Sequence, residues 1–149
     1  MLEHEVIQSV GFRNIKTNGE TTGFQFKVRL PYYRGIFACQ LRTGTLFVDD
    51  ERIDKDEITW CINGKELTWQ EMENDMETFW AVTEPAVLKV KKAGGLAQGF
   101  HHLKYGFCFS SSYMPPIMQN DEQLNPDKET TIFLPEFGHH VNERTLIIV

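Results

Sequence analysis

The stretch "TGFQFKVRL" sets the tightest limit on the fold. Thr22, Phe24, Phe26, Val28 and Leu30 would share one side of an extended chain, and Gly23, Gln25, Lys27 and Arg29 the other. A period of two fits a half-buried antiparallel strand, because only an extended chain sends successive side chains to opposite faces. Asn18-Gly19 stands just before it, a pair suited to the positive φ angles of a tight hairpin turn. An earlier strand over residues 5–15 is therefore expected to pair back on this one.

Similar signals repeat downstream. Pro31 removes a backbone donor and ends the strand. "YYRG" reads as a bend, residues 36–48 as another strand, and "DDERIDKDE" as a charged turn. "EITWCI" is a strand that Asn63-Gly64 turns back through "KEL". Thr68 and Glu71 have capping-box spacing and predict one short helix in "TWQEMENDMETFW", with Trp69, Met72 and Met76 along one face. "PAVLKV", "FHHLKYGFCF" and "RTLIIV" read as further strands. The whole predicts an all-β chain: an antiparallel β-sandwich, open or barrel-like, with one short helix, built by residues 1–149 as one domain. "SSSYMPPIMQNDEQLNPDKET" has no periodicity and predicts a long loop near residues 110–130.

Charge and composition close off several functions. The chain carries 15 Lys plus Arg against 21 Asp plus Glu, a net charge of -6 with no basic stripe, so a nucleic-acid partner is not expected. No apolar run is long enough to span a bilayer, and "MLEHEVIQSV" is acidic where a secretory leader is basic. A soluble cytoplasmic protein with no membrane partner is the expectation. Cys39, Cys61 and Cys108 make neither a disulfide framework nor a CxxC pair, and read as three buried thiols in a reducing compartment.

The histidines invite a metal reading. On a strand, His101 shares a face with Leu103, Tyr105, Phe107 and Phe109, and His102 faces the other way with Lys104, Gly106 and Cys108. Neighbours that diverge do not easily bind one ion together, and the same holds for His139 and His140. HxH, HExxH and CxxC spacings are absent from the sequence, so no metal is expected in this chain. Ser110, Ser111 and Ser112 lack the glycine frame of a nucleophile elbow, and "GGLAQG" leads into a strand rather than a helix, a poor phosphate cradle. Asp49, Asp50 and Glu51 read as solvated turn charges, not as the facing carboxylates of a glycosidase. The residues alone name no catalytic constellation.

"VGFRN", "TGFQFKVRLPYYRG", "VDDE" and "KKAGGLAQGFHH", in that order, resemble the small β subunit of bacterial C-glycoside deglycosidases. The likeness covers roughly residues 6–115 and the terminal strand, and its specificity lies in the combination and order of the motifs. Within "VDDE" a glycine is expected where this chain has Asp50. The resemblance implies a sandwich subunit, without catalytic residues of its own, docked on a larger α subunit. That α subunit is similar to a sugar-isomerase, TIM-type barrel and holds a divalent metal, with manganese expected; no cofactor is implied in this chain. The hetero-oligomer would be a carbon–carbon lyase acting on a C-glycoside whose sugar is already a 3-ketone. The ketone acidifies the neighbouring C–H, the metal stabilises the enolate as a Lewis acid, and an aromatic, flavonoid-type aglycone leaves by elimination. Partner contacts are expected at Tyr32, Tyr33, Arg34, His101, His102, Tyr113 and Met114, because Tyr and Arg in particular pair a large contact area with a polar end. The competing reading is a stand-alone carbohydrate- or protein-binding module, with Tyr32 and Tyr33, or Trp60, Trp69 and Trp80, as its aromatic platform.

Overall fold

A computed structural model describes residues 5–31, 34–110 and 137–149. Two tight turns form where Asn-Gly pairs stand. Asn18 and Gly19 have φ of 52° and 83°, and Asn63 and Gly64 have 52° and 80°. Left-handed backbone at both central positions matches the twist of paired strands. The first turn joins β1 (Arg13–Thr17) to β2 (Glu20–Val28), the second β6 (Ile58–Ile62) to β7 (Lys65–Leu67). β1 is shorter than residues 5–15 suggested. Gly11, at φ 89°, bends the chain just before it. Upstream, Ile7 makes only an isolated bridge to Val28, with Val6 and Ile7 buried beside the sheet.

Residues 36–48 are not one strand. They divide into β3 (Ile36–Phe37), a 3-10 turn (Ala38–Gln40) and β4 (Leu41–Val48). The Gln40 side-chain oxygen accepts from the Phe37 amide at 2.8 Å, while the amides of Ala38 and Cys39 donate to the carbonyls of Thr78 and Asp75. These bonds offer the backbone an alternative to a ladder. The charged turn likewise contains β5 (Glu51–Ile53) and a 3-10 turn (Lys55–Glu57). Helix α1 (Trp69–Glu73) starts on the expected capping box of Thr68 and Glu71. It stops early because Asp75 takes over the next bend, accepting from the Glu77 and Thr78 amides and, at 2.6 Å, from the Thr78 hydroxyl. Met72 is buried as expected, but Met76 lies beyond the helix and is exposed. Burial pushes the Asp75 carboxyl up. The Thr78 hydroxyl, the two amides and Lys65 outweigh that and hold its pKa at about 2.

β8 (Phe79–Trp80), β9 (Ala86–Lys91), β10 (Gly99–Ser110) and β11 (Phe137–Ile148) complete the described strands. One sheet has the order β1-β2-β9-β6-β7, the other β11-β10-β4-β5, and β3 pairs with β8. The ladders are antiparallel. The sheets are open at their edges among the described residues, so the fold is a sandwich and not a barrel. One buried cluster lies between them. At its centre Trp60 meets Trp80 at 5.5 Å and Phe107 at 5.8 Å, both edge-on, while Phe26 meets Tyr105 at 5.9 Å. Trp60 and Trp80 therefore belong to the core and offer no sugar platform; Trp69 packs partly against that core.

Cys39 is buried, but Cys61 is only half-buried on an outer face, where its Sγ lies 3.7 Å from Glu66. Three buried thiols were expected; Cys61 escapes because Trp60 and Ile62 take the inward positions of β6. Burial raises the pKa of both described thiols. The side chain of Cys108, and all of the loop near 110–130 past Ser110, lie outside the described residues.

Candidate functional site

Three titratable groups, Asp49, His101 and His102, meet at one end of the sandwich, where the β4–β5 turn meets the start of β10. Asp49 and Asp50 form that turn with φ of 51° and 68°. A glycine would adopt these angles without strain; aspartate is among the few other residues that visit them. Asp49 is locked in place. Its amide donates to the His102 carbonyl and its Oδ1 accepts from the His102 amide, each at 2.9 Å. Its Oδ2 lies 2.6 Å from Nδ1 of His101. The His102 amide first, and then the His101 ring, hold the Asp49 carboxyl below the usual carboxylate range. Asp49 is thus a structural tie between strands rather than only a solvated turn charge.

His101 faces inward, as the strand alternation predicts, with 11% of its side chain exposed. Its Nε2 lies 2.6 Å from the Ala97 carbonyl oxygen, and the Phe12 ring stands 6.4 Å away, edge to face. Burial disfavours the charged ring, but the Ala97 carbonyl and then Asp49 raise its pKa overall. The glycine-rich bend holding Ala97 is tied on its other side by Asn14, whose amide group donates to the Leu96 carbonyl at 2.8 Å and accepts from the Leu96 amide at 2.9 Å.

His102 faces outward. Its Nε2 and Nδ1 lie 3.3 Å from Glu143 and Thr145 of β11. On the same outer face Phe100, 75% exposed, stands opposite Ile147, 47% exposed. Arg34 lies at the other end of the molecule. Just beyond it Ile36 pairs with Trp80, and Trp80 packs on Phe107 at 6.0 Å. Phe107 is six residues along β10 from His101, a span of about 20 Å. Ser110 and Phe137, which flank residues 111–136, also pair at that far end. The expected contact residues therefore divide: Arg34 at one end, His101 and His102 at the other. Tyr32, Tyr33, Tyr113 and Met114 lie outside the described residues.

Among the described residues no three His, Cys, Asp or Glu side chains converge on a point that could hold a metal. An open groove of about 600 Å³ on the outer face of the five-stranded sheet is lined by Thr17, Thr21, Thr59, Glu66 and Lys89 among others. Its Glu66 and Lys89 pair with each other, which lowers the pKa of the acid and raises that of the amine. No helix among the described residues is long and apolar enough to cross a membrane. The contact that sequence reasoning missed is Asp49 with His101, 52 residues apart. An Asp-Asp turn looks like surface punctuation, and only the β4–β10 ladder brings it to the histidine.

The sequence model of one protein family, described as C-glycoside deglycosidase beta subunit, matches residues 2–113. A C-glycoside deglycosidase beta subunit from Eubacterium cellulosolvens is 69% identical over 149 residues, 99% of this chain and 100% of that protein. Another of the same name, from Microbacterium trichothecenolyticum, is 28% identical over 121 residues, 78% of this chain and 86% of that protein.

Proposed function

Because this chain belongs to the family of C-glycoside deglycosidase beta subunits, we propose that it is the non-catalytic partner of a larger, metal-dependent α subunit with a TIM-type barrel. The complex is a cytoplasmic lyase that breaks the C–C bond between a 3-oxo sugar and an aromatic, flavonoid-type aglycone. The observation that carries this reading is the end-to-end likeness to the Eubacterium protein. The chemistry of the chain supports it. Asp49 is bound by His101 and His102, Asp75 by Thr78 and Lys65, and Glu66 by Lys89, so these acids act as ties. General acid–base work needs a titratable group aimed at a reacting atom, and a structural tie is already spoken for. The metal, with manganese expected, and the base that removes the proton beside the ketone belong to the α subunit in this reading.

The test is reconstitution. The chain purified alone should leave an oxidised aromatic C-glycoside intact, and the chain produced together with its α subunit should release the aglycone. Release by the single chain would overturn the reading.

The contact surface is proposed to comprise Tyr32, Tyr33, Arg34, His101, His102, Tyr113 and Met114. Contacts at both Arg34 and His102 require a partner surface that reaches along the sandwich, within the scope of a standard interface of about 800 Å² per side. Arg34 is exposed in the chain by itself. As a buried anchor in the complex, Arg34→Ala should weaken assembly by about 2 kcal/mol, about thirty-fold in Kd. Titration calorimetry reads this directly, and the melting temperature of the chain alone separates loss of the contact from loss of the fold. Unchanged affinity, or a chain that itself unfolds, would remove Arg34 from the contact.

A further inference from the structure

We propose that His101 is a proton-operated clasp: as the imidazolium it fastens the glycine-rich bend to the β4–β5 turn, and as the neutral ring it lets the bend go. The geometry carries the argument. Both ring nitrogens lie 2.6 Å from oxygens that can only accept, the Asp49 carboxylate and the Ala97 carbonyl. A neutral imidazole has one N–H and one lone pair, so it satisfies one of these contacts and sets a lone pair against the other. Only the imidazolium donates to both.

The proton that is lost decides which contact opens. A bond between the ring and a carboxylate is the stronger of the two, and Asp49 is held in place by two further bonds to the His102 backbone. The remaining N–H therefore stays on Nδ1, toward Asp49, and the contact with Ala97 is the one that breaks. Leu96 remains fastened by Asn14, so the segment released runs from Ala97 to Gly99. Gly99 has φ of 126°, backbone that has no strained side chain holding it in one state. Phe100 and the exposed face of β10 begin immediately after it.

The surroundings of the ring are simple. The β4–β5 turn presents the Asp49 carboxylate, the bend presents the Ala97 carbonyl, and the residues before β1 present the Phe12 edge. β11 places Leu146, buried, opposite His101 in the ladder. His102 turns its own ring to the outer face, toward Glu143 and Thr145. The sign follows from the raised folded pKa. A histidine that binds its proton more tightly when folded adds stability that is complete below its unfolded pKa and is lost as pH rises through the folded pKa.

Nitrogen NMR of the isotopically labelled full chain tests the clasp. The His101 midpoint should lie above that of the same chain's histidines in urea, with both ring nitrogens protonated below it. Above it, a single tautomer protonated on Nδ1 should remain. The amides of Ala97, Gln98 and Gly99 should shift with the same midpoint, and the Leu96 amide should not. In Asp49→Asn the midpoint should fall toward the urea value. A His101 midpoint at or below that value, or one untouched by Asp49→Asn, overturns the proposal. So does a titration that leaves the three bend amides unmoved.

Discussion

Replacing Trp60 with alanine is expected to cost about 3–5 kcal/mol of folding free energy. Trp60 is fully buried at the centre of the sandwich. It meets Trp80 and Phe107 edge-on and Tyr105 at 6.2 Å, so one side chain joins β6, β8 and β10 across both sheets. Truncation removes its transfer free energy and leaves a cavity walled by rings, which cannot collapse onto a missing indole without leaving their own contacts. Domain stabilities of about 5–15 kcal/mol leave little in reserve after such a loss. Its indole N–H adds a sharper distinction, because it finds no acceptor among the described residues. Trp60→Phe keeps an aromatic ring and deletes that desolvated donor, so it should cost about 1.5 kcal/mol or less. Urea unfolding of both variants separates the two results, with an unchanged m-value showing that the same surface is being exposed. An alanine variant within about 1 kcal/mol of the parent would mean that the core does not turn on this residue.

How much of this was legible in the sequence divides along a physical line. Alternation in β2, two Asn-Gly turns and the Thr68–Glu71 box are local signals, and each produced the element it predicts. Errors arose where distant partners intervene. The strand expected over 36–48 breaks because the Thr78 and Asp75 carbonyls, some forty residues downstream, take the amides of Ala38 and Cys39. The helix expected to reach Met76 stops because the Asp75 side chain captures two amides beyond it. The same limit governs the candidate site. Strand periodicity alone sends His101 inward and His102 outward, and that is where they point. It could not show that a turn aspartate waits beside His101, nor that Arg34 lies at the opposite end of the sandwich.

Gly23 illustrates the same limit and carries the other large expected effect. The alternation places it on the outer face with Gln25 and Lys27, where an alanine would look harmless. In the sheet it stands between β1 and β9, opposite Ile15 and Lys91. A methyl group there would lie 1.9 Å from the Val90 carbonyl oxygen and 3.0 Å from its carbon. The obstacle is backbone of a neighbouring strand, so no change of rotamer relieves it, and β9 must move away from β2. That motion pulls on the bonds from the Lys92 and Gly94 amides to the Thr22 and Thr21 carbonyls, which anchor the start of the glycine-rich bend. Gly23→Ala should therefore cost about 4 kcal/mol or more, in the far tail for single substitutions. Gly19→Ala is the informative contrast. Gly19 has φ of 83°, yet nothing lies within 4 Å of an added methyl. Its penalty is the left-handed backbone alone, about 1–2 kcal/mol. The ordering expected is thus the reverse of what backbone angles suggest. Urea unfolding ranks the two variants, and amide exchange at Lys92 and Gly94 should quicken in Gly23→Ala only. Equal stabilities, or unchanged protection at those two amides, would show that β9 absorbs the methyl without leaving β2.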